Sequence, residues 1–170
     1  MNQLINFKDI PEYYQRYTSL VSDGDYIELM QQNLDEIKET FNLLHQKADY
    51  AYASGKWTVI QVLSHLIDVE RVMVNRMHVF SRNEKEPIPG FNHDEYVNQA
   101  DLSNKTIEGL LTEFEMVRAG TMHMVNSFSS DELKRNGEAN NLKFTTEGLS
   151  WIILGHTIHH LNILKERYVD

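Results

Sequence analysis

The sequence predicts an all-α protein, a four-helix bundle preceded by an N-terminal arm or short helix. Three observations carry this. Four long segments repeat apolar residues in steps of three and four, which places them on one face of a helix. Capping residues stand where those segments begin: Asp25, Thr58, Thr106 and Thr145. Three prolines and eight glycines in 170 residues leave long stretches uninterrupted.

The first two dozen residues contain Phe7, Tyr13, Tyr14 and Tyr17. So many aromatics imply an arm and short helix packed on the bundle, since a disordered tail rarely carries them. The first long helix begins at Asp25, with Glu28 completing a capping box. Its stripe is Ile27, Met30, Leu34, Ile37, Phe41 and Leu44. The second begins near Thr58, with Gln61 as box partner, and its stripe is Val62, Leu66, Val69, Met73, Met77 and Phe80. The third runs from about Thr106, with Ile107, Leu110, Phe114, Val117, Met124 and Phe128 on one side and Thr121 in the single gap. The fourth runs from near Thr145 to about Tyr168. Helices with one apolar stripe each bury it best against one another.

The connections differ in kind. Roughly a dozen residues, including AYASGKW, separate the first two helices. The stretch RNEKEPIPGFNHDEYVNQADLSN, residues 82–104, cannot continue as helix through Pro87, Pro89 and Gly90, and a connection of that length is often functional. Ser129 and Glu132 form a further capping box, which predicts a short helix before a polar Gly/Asn stretch. Trp57 and Trp151, near helix starts, read as packing. With no internal repeat or composition shift, residues 1–170 read as a single domain.

Composition excludes several function classes. The formal net charge is -9, which repels phosphate backbones and argues against a nucleic-acid partner. No apolar run approaches the roughly 20 residues of a membrane span, and MNQLINFKDIPEYY lacks the basic and apolar regions of a secretory signal. The absence of cysteine removes disulfides and thiolate metal ligands and suits a cytoplasmic location.

The informative feature is the stretch GHTIHHLNILKERY, residues 155–168. With about 100° between successive residues, Leu149, Ile152, Ile153 and Ile163 define a core-facing stripe. His156 and His160 fall within about 20° of Leu149, and His159 roughly 80° away. A buried imidazole without partners costs about 1–3 kcal/mol, so two in an apolar seam need an explanation. They can bond to each other or to hydroxyls. Alternatively, their i, i+4 spacing lets both rings reach one divalent ion. A third ligand must come from elsewhere. His123 points away from its stripe, His45 ends the first helix, and His78 lies off the second stripe. His65, about 60° from the centre of its stripe, can lean into the seam. Geometry favours it modestly over His93 in the long loop.

These residues also carry a resemblance. YYQRYTSLVSDGD, YASGKWTVIQVLSHLIDVERV, PIPGFNHDEYV and GLSWIILGHTIHHLNILKERY together resemble the DinB superfamily, in its metalloenzyme-like branch, from about Tyr13 to Tyr168. The resemblance implies a four-helix bundle of unusual connectivity holding a divalent ion on His65, His156 and His160. It also brings similarity to transferases and isomerases that use small thiols such as bacillithiol or mycothiol, and it hints at a homodimer. It transfers a site and not a substrate.

Three neutral histidines leave a tetrahedral ion one open position. Water there is acidified, and a thiol there is deprotonated. Hydrolysis would ask for a carboxylate base. The nearest candidates are Asp68 and Glu70, and each reads more simply as part of a solvated helix face. Thiol activation needs fewer parts. The expectation is therefore a divalent-metal-dependent enzyme (zinc, nickel, iron or copper) taking a small-molecule substrate, with a low-molecular-weight thiol transferred to a small electrophile. The alternatives are a metal-dependent hydrolase, a non-catalytic metal- or small-ligand-binding stress-response protein, and a structural bundle. In the long loop, Phe91 and Tyr96 either cover the site or plug the bundle end.

Overall fold

The computed structural model describes residues 10–169; Phe7 lies outside them. The long helices are α2 (Tyr26–Leu43), α3 (Val59–Ser81), α5 (Ile107–Ser127) and α7 (Thr146–Arg167), and the short ones are α1 (Glu12–Thr18), α4 (His93–Gln99) and α6 (Ser130–Lys134). The long helices start where their caps dictate. The Asp25 carboxylate accepts from the amides of Ile27 and Glu28. Thr58 and Gln61 form a reciprocal capping box, and Thr106 and Thr145 each accept from the glycine amide three residues on. Each cap satisfies amides that the first helical turn leaves without a partner.

The order of the helices around the bundle does not follow the chain. Both α2 and α3 pack against α5 and α7, so α2 and α3 face one another across the bundle. A chain that runs to the opposite corner needs a longer path than a tight turn, and the connection over residues 44–58 supplies it. Ala48 and Tyr50 carbonyls accept from the amides of Ile60 and Val59, tying the first connection to the start of α3.

Buried apolar residues form two clusters. One holds Phe41, Leu63, Phe114 and Leu161. The other holds Met30, Met77, Phe80, Leu149 and Trp151. A polar layer separates them. Arg118 donates to both carboxylate oxygens of Glu70, at 2.8 to 3.1 Å. It also donates to Asn33 Oδ1 at 2.9 Å and Thr157 Oγ1 at 3.1 Å. The Thr121 hydroxyl donates to Glu70 at 2.7 Å. All four long helices thus contribute. Glu70 is not on a solvated face as expected; it is 2% exposed. Thr121 fills the gap in its stripe because it serves this layer.

Two elements are not evident from the sequence. The long connection contains α4, capped by Asn92. The Gly/Asn stretch after α6 is a hairpin, β1 (Asn136–Ala139) and β2 (Leu142–Thr145). Asn140 and Asn141 have φ of 52° and 60°, as a two-residue type I′ turn requires. The hairpin also holds the long connection, since the Ile88 amide donates to Glu138 and the Asn140 amide to Ile88. Beside the hairpin, with Tyr14 edge-on to Phe144, α1 lies directly on α7. A Cβ on Gly155 would stand 2.3 Å from the Tyr17 carbonyl oxygen, so only glycine permits that approach.

Candidate metal centre

His65 on α3 and the pair His156 and His160 on α7 meet where these helices pack. The Nε2 atoms of His65 and His156 are 3.1 Å apart, and those of His160 and His156 are 3.2 Å apart. One nitrogen from each of the three lies within 4.8 Å of the others. Three nitrogens bound tetrahedrally at about 2.0–2.1 Å would be roughly 3.3–3.4 Å apart, close to the observed spacing. His93, the open alternative, has its ring centre 5.8 Å from that of His65 and stands exposed at the start of α4. His159 lies beside His160, its ring centre 5.2 Å away, whereas His45, His78 and His123 are all exposed.

The surroundings keep these rings uncharged. Burial pushes the His65 pKa down to about 3, with the neighbouring His93 adding to the effect. Burial, then the other histidines, hold His156 and His160 well below the usual range. A neutral imidazole is the form that ligates a metal. Three such rings present electron pairs to one point. One proton on His156 Nε2 cannot serve both of its close neighbours. The donor set therefore fits a divalent ion.

Trp57 is part of this site, contrary to its reading as packing. Its ring centre is 4.6 Å from that of His65, and it stacks at 6.3 Å on His160. Tyr168 donates its hydroxyl to the Trp57 carbonyl at 2.7 Å, which ties the C-terminal end of α7 to this wall. The sequence does carry a signal for this: a residue just before an N-cap folds back over the first turns of its helix, where His65 stands. Trp151 does pack, edge-on to Tyr26. On the other side, Tyr17 meets His156 and His159 edge-on, each at 5.3 Å. Arg16 donates to the Tyr17 hydroxyl at 2.7 Å.

The histidines open into a cavity of about 780 Å³. Neither Asp68 nor Glu70 lines it. Asp68 is half-buried, and its raised pKa comes first from desolvation, which Arg71 partly offsets. Glu70 is committed to Arg118. Phe91 lines the cavity and lies tilted against Tyr96, at 5.1 Å between ring centres. It does so beside Arg76 and not over the histidines, its ring 5.7 Å from the guanidinium carbon. Arg76 shares the cavity with His65 despite about 16 Å of helical rise between them. No described helix is long and apolar enough to cross a membrane.

A four-helix bundle with adjacent helices holding three neutral imidazoles at one point, beside a deep cavity, defines a recognisable class of helical proteins with a candidate metal centre. The chain belongs to the DinB superfamily, which it matches over residues 26–164. Among solved structures it is similar to YfiT from Bacillus subtilis, described as a probable metal-dependent hydrolase with an unusual four-helix bundle topology. The TM-score is 0.74 at 19% identity, covering 83% of this chain and 82% of that one. A comparison with curated proteins finds no match.

Proposed function

We propose that the chain is a metal-dependent enzyme that activates a small thiol for transfer to an electrophile. The observation that carries this reading is the convergence of His65, His156 and His160 at the edge of a cavity that no described carboxylate lines. When bound, a divalent ion supplies Lewis acidity, lowering the pKa of a thiol or water that joins the three histidines. The chain's residues do the rest. Trp57 and Tyr17 wall the histidines on two sides and limit water. The cavity beyond them leaves room for an electrophile beside the thiol sulfur. Helix-borne metalloprotease sites add a glutamate that takes a proton from water, and this cavity has none among the described residues. A thiol needs no such base.

Hydrolysis is the second reading, favoured by the position of His93. It stands beside His65 and Trp57, and an imidazole there can accept a proton from water. The description of the Bacillus subtilis neighbour as a probable metal-dependent hydrolase agrees with it.

The test uses protein purified without a histidine tag and loaded with zinc or nickel. Low-molecular-weight thiols are screened against chlorodinitrobenzene and related electrophiles, in parallel with activated esters, for wild type and His65→Ala. Conjugation that is lost in the variant supports the transferase. Ester cleavage without conjugation moves the assignment to the hydrolase. Metal binding with neither activity leaves a metal- or small-ligand-binding protein.

A further inference from the structure

Arg76 is a buried cation with no charged partner among the described residues. It is 1% exposed, and no described carboxylate forms an ion pair with it. Its Nε–H has no hydrogen-bond partner among the described residues. Its terminal nitrogens make long contacts, 3.7 Å to Met73 Sδ and 3.4 Å to the Pro89 carbonyl, and the guanidinium hydrogen-bonds the neutral Tyr14 hydroxyl, which leaves its charge unpaired. A buried guanidinium is normally paired, because desolvating it alone is costly. Arg118, the other buried arginine, shows the usual solution with its bidentate glutamate.

The cavity has the same character. The chain carries 25 Asp and Glu against 16 Lys and Arg, yet the described cavity lining contains no acid, two arginines and five histidines. An acidic protein has kept negative charge out of the lining of this cavity. Arg76 reaches the same face of α3 as His65, three turns further on. Helical side chains lean toward the N-terminus, and the contact with Met73, three residues back, agrees with that lean. The guanidinium therefore inclines along α3 toward the end that carries His65.

We propose that Arg76 is a specificity-determining residue that receives a carboxylate of the ligand, so that the cavity takes an elongated organic acid with its reactive end at the histidines. The bidentate fork matches a carboxylate, which would supply the partner that Nε lacks. Phe91, over the guanidinium, and the Pro89 carbonyl close this end and fix the orientation of the fork. The ligand's length is set by the helix, since both anchors stand on α3. This names the ligand class of the site proposed above, but the anion pocket rests on its own observations.

The experiment measures binding of ω-mercaptocarboxylic acids of increasing chain length to zinc-loaded protein, each paired with the mercaptoalcohol of equal length. Metal-free protein is titrated with alkanoates and the matching alkanols. At one chain length the acid should bind at least about tenfold more tightly than the alcohol, as a charge-assisted pair implies. Arg76→Met should abolish that preference while keeping helix content and zinc stoichiometry. In wild type the Arg76 Nε–H resonance should shift with the acid and not with the alcohol, a readout that stands even if the variant fails to fold. Equal binding of acids and alcohols at every length, an unmoved resonance, or a preference that survives in folded Arg76→Met overturns the proposal. Failure to bind zinc, with the Arg76 resonance still responding to alkanoates, sinks the metal reading and leaves the pocket standing.

Discussion

The Nε2 atoms of His65 and His156 lie 3.1 Å apart across 91 positions of sequence, with His160 one turn away on α7. Such closeness of three desolvated rings gives each metal-ligand prediction its sign. Tag-free protein should carry close to one zinc or nickel ion per chain by elemental analysis, and His156→Leu or His160→Leu should carry almost none. Metal-free stability should change little or rise in those variants, because a desolvated imidazole is replaced by an apolar side chain. Zinc at a hundred times its dissociation constant should stabilise wild type by about 2.7 kcal/mol and leave the leucine variants unaffected.

Acid should weaken the metal-free fold. In the unfolded chain a histidine titrates near 6.5, whereas His65 in the fold titrates at about 3. Between those values the unfolded state holds a proton that the folded state refuses, so stability falls as pH drops below about 6.5. His65 contributes at most about 1.4 kcal/mol per pH unit, and His156 and His160 act in the same direction. Urea unfolding at several pH values between neutrality and mild acid checks this. His65→Leu should flatten the profile, and a wild-type profile already flat would contradict the burial argument.

Breaking the layer that divides the core should be expensive. Arg118→Met leaves Glu70 buried without its guanidinium, at a cost of about 3–5 kcal/mol by analogy with other severed buried pairs. Glu70→Gln should fall in the same range, because it strands the arginine. The double variant that combines Arg118→Met with Glu70→Leu is the informative one. It removes both charges and should recover most of the loss, as measured by urea unfolding. A double variant as unstable as the singles would show that Asn33, Thr121 and Thr157 depend on the pair.

Gly155→Ala should separate α1 from α7. The added methyl would meet the Tyr17 carbonyl at 2.3 Å, and overpacking of this kind costs about 1–3 kcal/mol. Because Tyr17 walls His156, the substitution should also speed protease cleavage around Thr18 and open the histidines to solvent, while zinc stoichiometry stays near wild type. Limited proteolysis read by mass spectrometry tests this. An unchanged cleavage pattern would mean that α1 yields without detaching.

Most of the helical frame is legible without coordinates. Asp25, Thr58, Thr106, Ser129 and Thr145 cap where their sequence context says, because an N-cap is a local hydrogen bond between near neighbours. The inward faces of His156 and His160 follow from the helical repeat. The hairpin escapes such a reading although Asn140 and Asn141 are turn residues of the required kind, since four-residue strands carry too little alternation to stand out. Helix α4 is hidden in the same way by its seven residues.

The sequence by itself determined where each helix starts, which face it buries and which histidines look inward, because caps and periodicity are set within a few residues. Only the tertiary structure decided that α2 sits across from α3, that Glu70 belongs to Arg118, that Trp57 walls the histidines and that Arg76 shares their cavity without a described acid beside it. A helical repeat fixes a side chain's direction around its own axis and says nothing of what stands opposite. Partners are chosen when the helices pack, and the burial that follows gives those residues their charge state and their neighbours.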